Sequence, residues 1–209
     1  MRIGVLAGGT SVELAGGVIG IVLVVAGLAG QAPAITAALA AIVLGGALFA
    51  HGCAILARWD EVVGHLDRNR YEIAAVINGV GTETFGGATS AIVGALVLAN
   101  VSPPGVLGAA IIALSSAVLL GGAAQPQLVE ITIYPETPVQ HVAHRAIEAS
   151  GGILVLAGIV ALACGAVAVL GIGPAVLLSL VAELAIAIAM LLAGGALTAR
   201  FASYRAAHS

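Results

Sequence analysis

Six long apolar runs, separated by short or moderately polar breaks, organise this chain. They cover approximately Leu14 to Gly30, Ala34 to Ala57, Thr84 to Asn100, Val106 to Ala124, Ala149 to Leu170 and Ala175 to Ala199. A helix needs about 20 mainly apolar residues to cross the hydrocarbon core of a bilayer, with a range of about 17–25. The pattern therefore predicts an all-α integral membrane protein with six transmembrane helices. The runs come in pairs. Within each pair the break is short, uncharged and holds proline: Gly30-Gln31-Ala32-Pro33, Asn100-Val101-Ser102-Pro103-Pro104-Gly105 and Gly171-Ile172-Gly173-Pro174. Proline suits the first turn of the helix that follows, where its missing N–H would have had no partner. Residues 58–82 and 125–147 form longer polar connections between the pairs. Val129 to Tyr134 alternates apolar and polar residues, and Arg70 to Ile73 does so more loosely, which predicts short strands there. Thr137-Pro138-Val139-Gln140 reads as a helix start that runs on into the fifth span.

Composition supports the membrane assignment. Hydrophobic residues make up 61% of the 209 positions and charged residues 8%, against about 25% charged in ordinary soluble domains. The mean hydropathy is +1.17. A chain so poor in charge can neither clothe a soluble globule nor stay disordered. Aromatic residues, at 3%, are too few for the girdles of a transmembrane β-barrel. The net charge of −3 gives no basic footprint for nucleic acid. All seven cations are arginines, Arg2, Arg58, Arg68, Arg70, Arg145, Arg200 and Arg205, and all fall at the termini or in the two long connections. The positive-inside bias then places both termini and both connections in the cytoplasm of a bacterial-type inner membrane, with the proline turns outside. Arg2 is a minimal leader charge and no good cleavage site follows, so the first span is expected to be retained. Cys53 and Cys164 differ too much in expected depth to form a disulfide, which implies two free, buried thiols.

An internal repeat is the strongest sequence signal. The first helix of each pair opens with Glu, two residues and Gly-Gly: Glu13-Leu14-Ala15-Gly16-Gly17, Glu83-Thr84-Phe85-Gly86-Gly87 and Glu148-Ala149-Ser150-Gly151-Gly152. The second helix ends on small residues: Gly52-Cys53-Ala54, Gly121-Gly122-Ala123 and Gly194-Gly195-Ala196. One membrane domain of three helical-hairpin repeats, at about 13–58, 83–125 and 148–200, follows. Pseudo-threefold symmetry about an axis normal to the membrane is the simplest arrangement. In this unit of Gly-rich helix, proline turn and Gly-ended helix, the stretch from Glu13 to Arg200 resembles the short-repeat membrane family that includes the acid-resistance protein HdeD. The resemblance implies a six-helix inner-membrane protein and supplies no catalytic residues. The Glu-x-x-Gly-Gly signature is not part of that family's pattern, and this chain is poorer in aromatics.

Four carboxylates and two histidines are the candidate chemistry. Glu13, Glu83 and Glu148 head the odd helices and would form a ring under threefold symmetry, attracting cations to a pore mouth. Their local explanation is a capping role at helix N-termini, which Thr10-Ser11-Val12-Glu13 fits as a capping box. Glu183 lies nine residues past Pro174 in an apolar helix, near the middle of the bilayer. An ionisable group there is costly and marks a functional candidate, with Ser115 and Ser116 as expected partners. His141, His144 and Glu148 share one helix face at a spacing that can bind zinc or iron, with His51 or His65 nearby. A solvated polar face explains the same spacing more simply, so no cofactor is required. His51 itself reads as a packed residue. Nothing resembles a nucleophile triad, a phosphate loop or a dinucleotide fingerprint, so no enzyme is expected.

The first expectation for function is a compact structural or accessory module in the bilayer. It would associate with further copies or a larger membrane complex through Gly and Ala faces. The alternatives are a channel or transporter for protons, small ions or solutes, using Glu183 with the Glu13, Glu83 and Glu148 ring, and a metal-binding accessory protein.

Overall fold

A computed structural model describes residues 4–57, 70–130 and 138–206 of the chain. Six long helices account for them: α1 Gly4–Leu28, α2 Pro33–Leu56, α3 Arg70–Leu98, α4 Leu107–Glu130, α5 Pro138–Val169 and α6 Ala175–Ala206, with a short 3-10 turn Pro104–Val106 before α4. No strand occurs among the described residues. Residues 70–73, expected as strand, form the first turn of α3. Val129 and Glu130 end α4, while 131–134 lie outside the described residues. The weak alternation over 70–73 does not compete with local helix hydrogen bonding where no described segment offers a partner strand.

Five helices contain stretches long and apolar enough to cross a membrane: Ser11–Leu28, Pro33–Leu56, Pro104–Ala124, Ala149–Val169 and Ala175–Ala196. The protein is thus a helical membrane protein by length and composition. The helix α3 falls short because Thr82, Glu83, Thr84, Gly86, Gly87, Thr89 and Ser90 dilute its middle. Several of these polar groups are satisfied locally: the hydroxyls of Thr82, Thr84 and Thr89 donate to the carbonyls of Asn78, Val80 and Phe85, one turn earlier.

The three turns share one design. Gly30, Asn100 and Gly171 take positive φ angles of 88°, 54° and 70°, a conformation that favours Gly or Asn. The next residue, Gln31, Val101 or Ile172, donates its N–H to the carbonyl of Ala26, Leu96 or Val167, at 3.0–3.1 Å. Each bond caps a helix C-terminus as a Schellman motif, so carbonyls facing the membrane boundary are not left bare.

Every helix packs on its neighbour in sequence, and α6 returns to pack on α1, so the six close into a ring. In addition α2, α4 and α6 touch one another. Burial agrees with this inner position. The spans of α2, α4 and α6 are 50%, 56% and 44% buried, against 33% for α1 and 28% for α5. The outer faces of the odd helices carry Val22, Val25, Phe85, Ile92, Leu156 and Ile159, all more than half exposed. Such a surface suits lipid. The core between the even helices is filled by Leu44, Leu48, Leu114, Val118, Ile186 and Met190.

Glycine sets how closely the hairpins approach. A Cβ added to Gly87 of α3 would lie 2.6 Å from the Gly45 carbonyl oxygen and 2.7 Å from the Phe49 nitrogen on α2. One on Gly158 of α5 would lie 2.9 Å from the Leu119 nitrogen on α4, and one on Gly17 of α1 2.7 Å from the Leu191 nitrogen on α6. Backbone contact of this kind substitutes for hydrophobic drive, which lipid does not provide.

Candidate functional site

The site is assembled from three helices. Glu13 projects from α1, His51 from α2 and Glu83 from α3, and all three are buried. His51 stands between the two acids: Nδ1 lies 3.5 Å from Glu13 Oε2, and Nε2 lies 4.0 Å from Glu83 Oε2. Both separations exceed an ordinary hydrogen bond, so the three groups face one another at a distance that is an ion pair only when the ring is protonated. Gly121 of α4 makes the space for the second acid, since a Cβ there would collide with the Glu83 carboxylate. On the other side Gly52 abuts Thr84. The packed small residues expected from sequence therefore form the walls of a polar cluster.

Neither acid is a helix cap. Glu13 lies inside α1, which begins at Gly4, and Glu83 lies inside α3, which begins at Arg70. The capping box at Thr10–Glu13 is therefore replaced by continuous helix, and the helix dipole gives neither carboxylate much help, since its effect fades within the first turn. His51 is the titratable side chain that faces both of them among the described residues. An imidazolium can donate from both nitrogens, a neutral imidazole from only one. Proton uptake or loss on the ring thus changes whether it can donate to both acids or to one, an arrangement that can pass a proton between two carboxylates through one ring.

The other candidates stand apart. Buried positions of α1 at 13, 17, 20, 24 and 27 recur in α3 at 83, 87, 90, 94 and 97, and in α5 at 154, 158, 161, 165 and 168. Leu154, not Glu148, therefore occupies the level of Glu13 and Glu83. Glu148 lies six residues earlier on α5, about 9 Å along the axis. The three-carboxylate ring thus becomes a pair of acids around a histidine. His141 and His144 also lie on α5, and their side chains and that of Glu148 are outside the described residues. Among the described residues no group of three His, Cys, Asp or Glu is placed to hold a metal ion. Cys53 and Cys164 are free thiols, half-buried rather than fully buried.

Glu183 is fully buried in α6, and neither carboxylate oxygen has a hydrogen-bond partner among the described residues. Ser115 and Ser116, its expected partners, both donate instead to the Ile112 carbonyl on their own helix. A hydroxyl has one proton, and here the backbone takes it.

His51 is the residue that sequence reasoning undervalued. Its signal was present: the register that aligns α2 with α4 and α6 puts Gly121 and Ala193 where α2 has His51. A lone polar residue at an otherwise small position marks a departure from the repeat. The chain matches no protein-family model, and neither a curated protein nor a solved structure matches it.

Proposed function

We propose that this protein is a six-span membrane module of three hairpin repeats that takes up and releases protons at Glu13, His51 and Glu83. The pseudo-threefold part of the reading is supported by register. Ten buried positions of α2, from Ala37 to Gly52, recur 70 residues later in α4 and 142 residues later in α6. The Gly17, Gly87 and Gly158 contacts repeat around the ring in the same way. Six spans follow if α3 crosses beside its equivalents α1 and α5, its polar middle turned toward the cluster. Arginine distribution supports cytoplasmic termini in an inner membrane, which places the cluster near the cytoplasmic surface. Single cysteines at Gln31, Ser102 and Ile172 then react with an impermeant reagent from outside only.

One observation carries the function: two carboxylates and a histidine are buried together across three helices of an apolar bundle. Ionisable groups at such places are costly, and a purely structural module has no need of them. The arrangement is chemistry for moving protons rather than for bond breaking, so no enzymatic role is assigned. In liposomes under a pH gradient, wild type collapses the gradient and His51→Ala slows the collapse to the rate of empty vesicles. Equal rates for both proteins overturn the reading.

A structural or accessory role is the second reading. It is favoured by Gly46 and Gly152, at which an added Cβ would meet nothing within 4 Å. Both offer smooth backbone to a further copy or a larger complex. Gly46→Leu and Gly152→Leu would then shift the assembly size without affecting the monomer. Metal binding at His141, His144 and Glu148 is a separate proposal, decided by metal analysis of the purified protein.

A further inference from the structure

Glu183 sits at a position where the other two repeats have Ala41 and Ile111. On α6 it lies between Leu180, part of the outer apolar cluster, and Ile186, part of the inner one. Ten residues, or about 15 Å, separate its level from that of His51. Between them lie two apolar layers, Leu44, Leu114 and Ile186, then Leu48, Val118 and Met190. The acid therefore stands alone at the core of the bundle, beyond the reach of the Glu13, His51 and Glu83 cluster.

A carboxylate in such surroundings needs a counterion or a proton. A metal ion would require several oxygen ligands, and the side chains at the equivalent positions, Ala41 and Ile111, have none. The titratable side chains described on helices packed against α6 are Glu13 on α1, His51 and Cys53 on α2, and Arg145 and Cys164 on α5; α4 has none between Leu107 and Ala124. No salt bridge to Glu183 is formed among the described residues. Among the described residues nothing offers Glu183 a counterion, and a proton fits the space without one.

We infer that Glu183 is an exchangeable proton-binding site at the centre of the bundle, a second station behind the cluster. The inference rests on the proton-handling reading and adds the place where a proton resides in mid-membrane. A sealed packing acid has the same burial but no exchange, and that difference can be measured. Layer motions of Met190, the most flexible of the barrier side chains, would supply the transient opening.

The test is infrared difference spectroscopy of the full chain in lipid vesicles, comparing wild type with Glu183→Gln. The expected result is a carbonyl band of an un-ionised acid that is present in wild type, missing in the variant and shifted on transfer to D2O. Above its midpoint, the band falls about tenfold per pH unit. A band that neither shifts in D2O nor titrates identifies a sealed structural acid and overturns the inference, as does the absence of any such band. Glu183→Asp guards against a variant that fails to fold, since it should move the band rather than erase it. The spectrum reads Glu183 without any transport. Titration without proton flux would sink the proposed function and leave the site standing, whereas flux without titration would do the reverse.

Discussion

Two buried acidic sites occupy this bundle, and they are built on opposite principles. Near one end Glu13 and Glu83 share His51, with each residue contributed by a different helix. In the centre Glu183 is alone, and neither oxygen is hydrogen-bonded among the described residues. Neighbouring hairpins assemble the first site, so it exists only when α1, α2 and α3 are packed. A single substitution in an apolar layer makes the second. The contrast teaches where chemistry can enter a repeated fold. The recurring glycine and alanine positions hold helices together, and the proposed proton sites fall where one copy departs from the others, at His51 against Gly121 and Ala193, and at Glu183 against Ala41 and Ile111.

The largest effect should come from removing the shared partner. His51→Ala removes the one side chain that Glu13 and Glu83 share, and deleting one member of a buried pair costs about 3 kcal/mol or more where the pair is charged. Unfolding in detergent should show the loss, and adding Glu13→Gln and Glu83→Gln should restore most of it. If His51→Ala unfolds like wild type, the three groups are not one electrostatic unit and the contrast with Glu183 collapses.

The next effect sharpens the role of the cavity wall. Gly121→Ala puts a methyl group where the Glu83 carboxylate lies, so the acid must move away from its niche. Overpacking of this size costs about 1–3 kcal/mol, and proton release from the cluster should change with it. Gly46→Ala, at an open site on α2, is the control and should be neutral within about 0.5 kcal/mol. Equal stability of the two variants would mean that Gly121 does not hold the Glu83 carboxylate in place.

Much of this architecture was legible in the chain, and the misreadings share a cause. Apolar runs and proline turns fixed the helices because bilayer thickness and backbone hydrogen bonding leave few alternatives. Residues 70–82 were read as part of a connection, yet they are helical, since a helix can continue past the hydrocarbon without needing an apolar face. The helix start expected at Thr137–Gln140, running on into the fifth span, agrees with α5 from Pro138. Glu148 matched Glu13 and Glu83 by motif. In a chain with 29 glycines, however, a Glu-x-x-Gly-Gly match says little about register, and burial puts Leu154 at that level. The cluster itself was only half visible. Glu13 and Glu83 were found, but His51 acquires its meaning from α1 and α3, which local sequence cannot report.

The smallest effect on stability should come from Glu183, and that smallness is the point. Glu183→Met keeps a similar length and fills the same space with a flexible apolar chain. Replacing buried ionisable groups by apolar ones of like volume is often neutral or stabilising, and no hydrogen bond is lost because none is made among the described residues. Unfolding should therefore shift by less than about 1 kcal/mol, in either direction, while His51→Ala falls by several times that. If Glu183→Met is instead as damaging as His51→Ala, the acid has a partner that holds the fold together. The distinction between a shared cluster and a solitary proton site would then disappear. If stability is unchanged while the acid's infrared band vanishes, the bundle tolerates this carboxylate without needing it for folding, and its presence must be explained by what it binds.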